Sequence, residues 1–407
     1  MASDNEPESV KRFREYLRIK SVQPKPDYES CVVFLNKQAE ELGLPIKVYE
    51  CVKGKPIVII TWEGKQPELP TVVLNSHMDV VPVFPEEWEY DPFSAERVPI
   101  DNGDYKIIAR GSQDMKICGS CYLEAVRKLK AQGVKLERTI HIAFVPDEEI
   151  GSVDGLEKFV KTEDYAKLNV GFFLDEGIAN PGDDLRVFYG ERATWWVEFT
   201  AIGNAGHGSQ FIENTVGEKI VPFMNRMLDI RKEQQDLLNT PKSDGTKRTL
   251  GDVTTINLTM LNAGVQANVV PKKASVVFDI RVTPHISLNE FRTKIESLAA
   301  EHGLEVNFKQ YNDQACVTST DETNPFWVPF ENVLKSFNIG IFKEVFPAGS
   351  DSRFIRSQGI PCLGISPLRN LPVLLHDHNE YVRESDFIEG IKLYTSLIPA
   401  LANAGTK

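Results

Sequence analysis

Thr71-Val72-Val73-Leu74-Asn75-Ser76-His77-Met78-Asp79-Val80-Val81-Pro82 is the stretch on which the fold turns. Thr71–Ser76 is apolar and β-branched without polar alternation, the pattern of a strand buried on both faces of a sheet. It runs straight into a histidine and an aspartate. Upstream, Pro56–Trp62 is a second run of this kind; downstream, Thr139–Val145 and Val170–Leu174 repeat it. Between them apolar residues recur at helical spacing: Val10, Phe13 and Leu17, then Cys31, Phe34, Leu35 and Leu42, stopping at Gly43 and Pro45. Asp114 to Lys130 places Cys118, Cys121, Ala125 and Leu129 on one stripe, with Gly133 beyond its end, and Leu156–Val160 is a further helical segment. Strands alternating with helices predict an α/β domain with a largely parallel central sheet.

The pattern changes near residue 190. Trp195–Ala201, Thr254–Leu261 and Ala274–Val282 alternate apolar and polar side chains, with helices expected at about Thr215–Leu238 and Leu288–His302. Ser287 is a candidate N-cap for the second, with Glu290 completing a capping box. Half-buried strands with helices on one face predict a smaller α+β domain inserted into the first, and Thr240–Asp252 reads as a mobile loop within it. A helix at Pro325–Phe337, a strand at Ile360–Ile365 and a helix from about Ser385 to Ala402 restore the α/β character. The expected division is residues 1–190, the insertion 191–312, and residues 313–407.

Composition narrows the class. The 407 residues carry 46 basic and 58 acidic side chains, a net charge of −12, which argues against nucleic acid or an anionic membrane surface as partner. No apolar run approaches the roughly 20 residues of a membrane helix. Met1-Ala2-Ser3-Asp4-Asn5-Glu6 is acidic and lacks the apolar core of a secretory signal. Six scattered cysteines make no disulfide framework, so a soluble cytoplasmic protein with free thiols is expected. Cys118 and Cys121, at i, i+3 on a helix, read as buried thiols rather than a redox pair, and Trp195 and Trp196 as packing residues.

Five polar clusters carry the chemistry, four of them after buried strands. His77 ends the first, with Asp79 placed to accept the other imidazole N–H. Asp114 opens a helix, as an N-cap or as a carboxylate free to bridge two cations. Asp147-Glu148-Glu149 follows Ile140–Val145, Asp175-Glu176 follows Gly171–Leu174, and His376-Asp377-His378 follows an apolar stretch. Strand carboxyl ends are where open α/β sheets bind ligands. One histidine, a bridging aspartate, a glutamate, a further acid and a terminal histidine make a two-metal set. Nitrogen and oxygen donors without thiolate suit Zn²⁺, with Co²⁺ or Mn²⁺ as substitutes. A carboxylate left over beside such a pair is a general base.

Nearly end to end, the chain resembles the di-zinc metallopeptidase family of the aminoacylases, carboxypeptidase G and succinyl-diaminopimelate desuccinylase, and most of all its aminoacylase members. The resemblance is carried by Val22-Gln23-Pro24-Lys25-Pro26-Asp27-Tyr28, Leu74–His77, Phe144–Glu149, Leu174-Asp175-Glu176-Gly177-Ile178-Ala179-Asn180-Pro181 and Val373–His378. It implies that His77 and Glu176 hold one zinc, Glu149 and His376 the other, and Asp114 bridges both. Asp175 is the alternative to Glu176, and His376 is preferred to His378 because Glu380 stands four residues after it. Glu148 would be the base and proton shuttle, with Asp79 as partner of His77. In the insertion, a lid and dimerisation domain by this resemblance, His207 would stabilise the oxyanion in the other subunit of a homodimer. Asn268 would contact substrate, and Arg281 or Arg353 would hold its carboxylate. The implied activity is zinc-dependent hydrolysis of short-chain N-acyl-L-amino acids, with a dipeptidase or carboxypeptidase of the same family as the alternative.

Overall fold

A computed structural model describes residues 6–405, so residues 1–5, most of the Met1–Glu6 stretch, and residues 406–407 lie outside the described part. In chain order the strands of the two larger sheets are Ile46–Val52 (β1), Lys55–Trp62 (β2), Thr71–His77 (β3), Ile140–Val145 (β4), Val170–Asp175 (β5) and Leu185–Glu191 (β6). Ala193–Ile202 (β7), Thr255–Ala263 (β8), Lys273–Val282 (β9) and Leu304–Tyr311 (β10) follow, then Ile341–Phe346 (β11) and Cys362–Ile365 (β12).

An eight-stranded sheet runs β1-β2-β4-β3-β5-β12-β6-β11. Its centre, β4-β3-β5-β12, is parallel, while β1, β2 and β6 pair antiparallel. The sheet therefore has a parallel centre with antiparallel flanks. The β1–β2 connection is too short for a crossover, which a parallel neighbour would need. Alternate residues split into two cores. Val72, Leu74, Ile142, Phe144 and Phe172 face one apolar cluster; Val73, Ala143, Val145 and Phe173 face the other. Both faces are covered, which is why these strands carry no polar alternation.

The helices that cover the first face stay close to the sequence reading. Glu8–Leu17 is α1; Tyr28–Leu42 (α2) starts where the Asp27 side chain accepts the Ser30 N–H and ends at Gly43 in the left-handed region. Lys116–Ala131 (α3) lies close enough to the sheet that a Cβ on Gly119 would sit 2.6 Å from Phe144 and 2.8 Å from Ser76. Its N-cap is Met115, without a side-chain cap, so Asp114 is not spent on capping.

By contacts the chain divides into two compact units. The first holds residues up to Tyr189, Thr318–Lys343 and Ser350 onward; the second holds Gly190–Val317 and Glu344–Gly349. The second contains the antiparallel sheet β8-β9-β7-β10, packed on Val216–Leu238 (α4) and Leu288–Glu301 (α5) through Trp195, Val197, Phe199, Phe223, Phe278 and Ile295. Trp195 is core, but Trp196 on the opposite face is 44% exposed. Ser287 caps α5 by accepting the Glu290 N–H, and the reciprocal half of the expected capping box is not formed. Within the loop at 240–252, Asp252 accepts from the Thr249 N–H and pairs with Lys242 at 2.8 Å. Glu384–Ala402 (α6) returns across α3. No helix among the described residues is long and apolar enough to cross a membrane.

Candidate metal centre

The carboxyl ends of the parallel strands put the chemistry in one place. His77 is the last residue of β3, Asp147-Glu148-Glu149 turns away from β4, and Glu176 follows β5. Two further loops meet there. Asp114 precedes α3 and His376 precedes the short strand Tyr381–Arg383, which pairs with Tyr105–Ile108 and draws the two loops together.

His77 Nε2 lies 3.0 Å from Asp114 Oδ1 and 3.6 Å from Glu176 Oε2. The other oxygen of Asp114 lies 3.3 Å from His376 Nε2, which is 3.1 Å from Glu149 Oε2. The result is two groups of three donors, His77–Asp114–Glu176 and Asp114–Glu149–His376, each within a 4.8 Å span. Asp114 offers one oxygen to each, the arrangement of a bridging carboxylate. His77 Nδ1 donates to the Asp79 carbonyl oxygen at 2.9 Å, which fixes the tautomer and frees Nε2 as a ligand. His376 is more than half exposed, giving the second group an opening to solvent.

The electrostatics ask for a cation. Burial, then the Asp114 charge, pushes the Glu149 carboxyl up to about 7. Burial likewise raises Glu148 and Glu176 well above the usual carboxylate range, with neighbouring acids adding to it. Hydrogen bonds to Asp114 and Glu149 raise His376 to about 10. Burial opposes ionisation of Asp114, yet His376 and His77 outweigh it and hold that carboxyl low. Glu149 Oε1 is buried and has no hydrogen-bond partner among the described residues. Crowded anions, an orphaned carboxylate oxygen and imidazole donors without thiolate fit two Zn²⁺ ions.

Asp175, the alternative ligand, has its oxygens occupied: Asn75 Nδ2 donates to one at 2.9 Å, and the Ser352 N–H and hydroxyl to the other at 2.8 Å. His378 belongs to neither donor group and packs edge-on to Phe84. Asp79 accepts the His77 N–H through its carbonyl rather than its carboxylate. Its carboxylate does not take the His77 proton, lying 3.7 Å from Nδ1; it accepts instead from the Glu148 and Glu149 N–H groups at 3.2 and 3.3 Å. Those main-chain donors would otherwise be unpaired in the turn, and the Asp79 carbonyl already serves the imidazole.

Arg353 lies in the first unit, its guanidinium donating to the Gly151 carbonyl at the end of the Glu148–Glu149 turn. In the second unit His207 pairs with Val269 on a two-residue ladder, and the Gly208 N–H donates to the Asn268 carbonyl at 2.8 Å. Arg281 is clamped by Asp279 through Nε and Nη2, with Nη1 donating to Thr194. Cys118 and Cys121 are buried free thiols, the first raised to about 12 by burial.

Two further networks support the donors. The fully buried Glu380 carboxylate accepts from Arg110 at 2.8 Å and from the N–H groups of Gly111, Gln113 and Asp114 at 3.0, 2.6 and 3.3 Å. It stitches the Asp114 loop to the His376 loop. Gln23, Tyr28 and Lys55 converge on Asp147. Gln23 and Tyr28 lie in one of the strings that carried the resemblance, but nothing local to them points to a partner more than a hundred residues away.

The model of peptidase family M20/M25/M40 matches residues 73–400. The chain is 46% identical to aminoacylase-1 of Dictyostelium discoideum, covering 99% of this chain and all of that one. It is also 46% identical to aminoacylase-1 of Homo sapiens, over 98% and 97% of the two chains. Among solved structures, an M20 family metallo-carboxypeptidase from Sulfolobus solfataricus shares the fold, with a TM-score of 0.72 at 18% identity, covering 98% and 100% of the two chains.

Proposed function

The chain belongs to peptidase family M20/M25/M40, and on that premise we propose how its residues divide the work of hydrolysing an N-acyl-L-amino acid. It is a metal-dependent hydrolase of the aminoacylase type, releasing a carboxylate and a free amino acid. The observation that carries the division of labour is Glu148, a carboxyl with His77, Glu176 and Glu149 among its electrostatic neighbours that belongs to neither donor group found among the described residues.

His77, Asp114 and Glu176 would hold one Zn²⁺, and Asp114, Glu149 and His376 the other. When bound, the ions supply Lewis acidity toward the acyl carbonyl and the attacking water. Glu148 takes the proton of that water and passes it to the amide nitrogen as the C–N bond breaks. A carboxyl whose affinity for protons is raised by burial suits both halves of the transfer. Arg353 or Arg281 takes the substrate carboxylate, and Asn268 is a further substrate contact. The acyl group is short, such as acetyl. The active unit is a homodimer in which His207, on its exposed ladder, donates to the developing oxyanion of the other subunit. Free thiols favour a cytoplasmic setting.

Glu148→Gln tests the assignment. The variant should bind two equivalents of zinc and keep its melting temperature while losing about 10²–10⁴-fold in kcat on N-acetyl-L-methionine. Turnover near that of the unaltered protein would contradict Glu148 as base.

A further inference from the structure

Asp147, immediately before Glu148, is held in the left-handed region at φ 65°, ψ 22°. A non-glycine residue enters this region at some cost, and Asp tolerates it better than most. Every polar group of Asp147 is engaged. Its N–H donates to the Tyr28 hydroxyl oxygen at 2.8 Å, and that hydroxyl donates back to Asp147 Oδ1 at 2.8 Å. Lys55 Nζ pairs with the same carboxylate at 2.7 Å, and Gln23 Nε2 donates to it at 3.0 Å. The Asp147 carbonyl accepts from the Ser152 N–H at 2.7 Å and the Ile150 N–H at 3.3 Å. Gln23 also donates to Asp79 at 2.8 Å, and Asp79 takes the N–H groups of residues 148 and 149. Three successive main-chain N–H groups around Glu148 are thus held by side chains from elsewhere in the chain, none of them in either donor group.

We propose that Tyr28 and Lys55 are positioning residues for proton transfer: by locking Asp147 in its left-handed conformation they aim the Glu148 carboxyl. The inference rests on Glu148 being the base. Tyr28 is 4% exposed, and its ring packs in the core, so the scaffold role and the hydroxyl's role are separable by removing one oxygen. Lys55 approaches from β2, its ammonium 5.6 Å from the Tyr28 ring centroid, and completes the charge balance of the buried Asp147. A misaimed carboxyl fails at the chemical step, because proton transfer depends on placement to within a fraction of an ångström, whereas metal and substrate are held by other groups.

The experiment compares Tyr28→Phe, Lys55→Met, Lys55→Arg and Glu148→Gln in the full-length, zinc-loaded protein with N-acetyl-L-methionine, well below each melting temperature. Tyr28→Phe and Lys55→Met should lower kcat about 10- to 100-fold with KM within twofold and two zinc equivalents retained. Lys55→Arg should recover most of the loss. A kcat within twofold of the unaltered protein in Tyr28→Phe, or a loss matched by loss of zinc, overturns the proposal. Should Tyr28→Phe fail to fold, the Lys55 pair decides alone: equal kcat in Lys55→Met and Lys55→Arg overturns it. Full turnover by Glu148→Gln would instead defeat the base assignment.

Discussion

At the scale of single residues, the site is a problem of buried charge. Glu380 shows how the fold solves part of it, by giving one carboxylate an arginine and three backbone N–H groups from the loop that ends in Asp114. Glu380→Gln replaces an acceptor oxygen by an amide NH₂ that faces donors, leaving Arg110 without its ion partner. Because Asp114 serves both donor groups, zinc affinity should weaken about 10- to 100-fold at both positions, as measured by competition with a chromophoric chelator. Unchanged affinity at both would show that the Asp114 loop holds itself. Here the sequence is only partly legible. Histidines and acids at the ends of apolar runs announce a metal site, but whether Asp79 uses its carboxylate or its carbonyl toward His77 depends on a turn of the main chain that composition does not encode. The left-handed Asp147 is hidden for the same reason, since its partners come from Gln23, Tyr28 and Lys55.

At the scale of elements, continuous apolar runs correctly mark β2 to β5 as strands buried on both faces. They do not tell parallel from antiparallel neighbours, because burial on two faces selects the same side chains either way; for β1 and β2 the short connection decides it. One strand residue carries a clear consequence. His141 in β4 is 7% exposed, its Nδ1 2.9 Å from the Thr61 hydroxyl, and burial pushes its pKa down to about 4 from an ordinary 6.5. The unfolded chain therefore takes up the proton first as pH falls. The stability present above pH 6.5 is lost between about 6.5 and 4, amounting to about 3 kcal/mol. His141→Gln should remove this component, so that from pH 7 to 4 the unaltered protein loses about 3 kcal/mol more than the variant in urea unfolding. Parallel losses would mean that His141 is protonated in the folded state.

At the scale of the whole molecule, two units fold around separate cores, and all the metal donors come from the first. The insertion was visible as a change from continuous to alternating apolar patterning near residue 190, because a one-sided sheet must face something polar with its other side. The central claim is that the shared Asp114 makes one dinuclear centre for amide hydrolysis rather than two unrelated ion sites. It is tested most directly by titrating the metal-free protein with Zn²⁺ while following release of acetate from N-acetyl-L-methionine. Turnover should be lost to a chelator, return with zinc and saturate at two equivalents per chain, with unblocked dipeptides cleaved far more slowly. Full turnover without metal, or saturation of a dipeptidase activity in its place, would contradict the account.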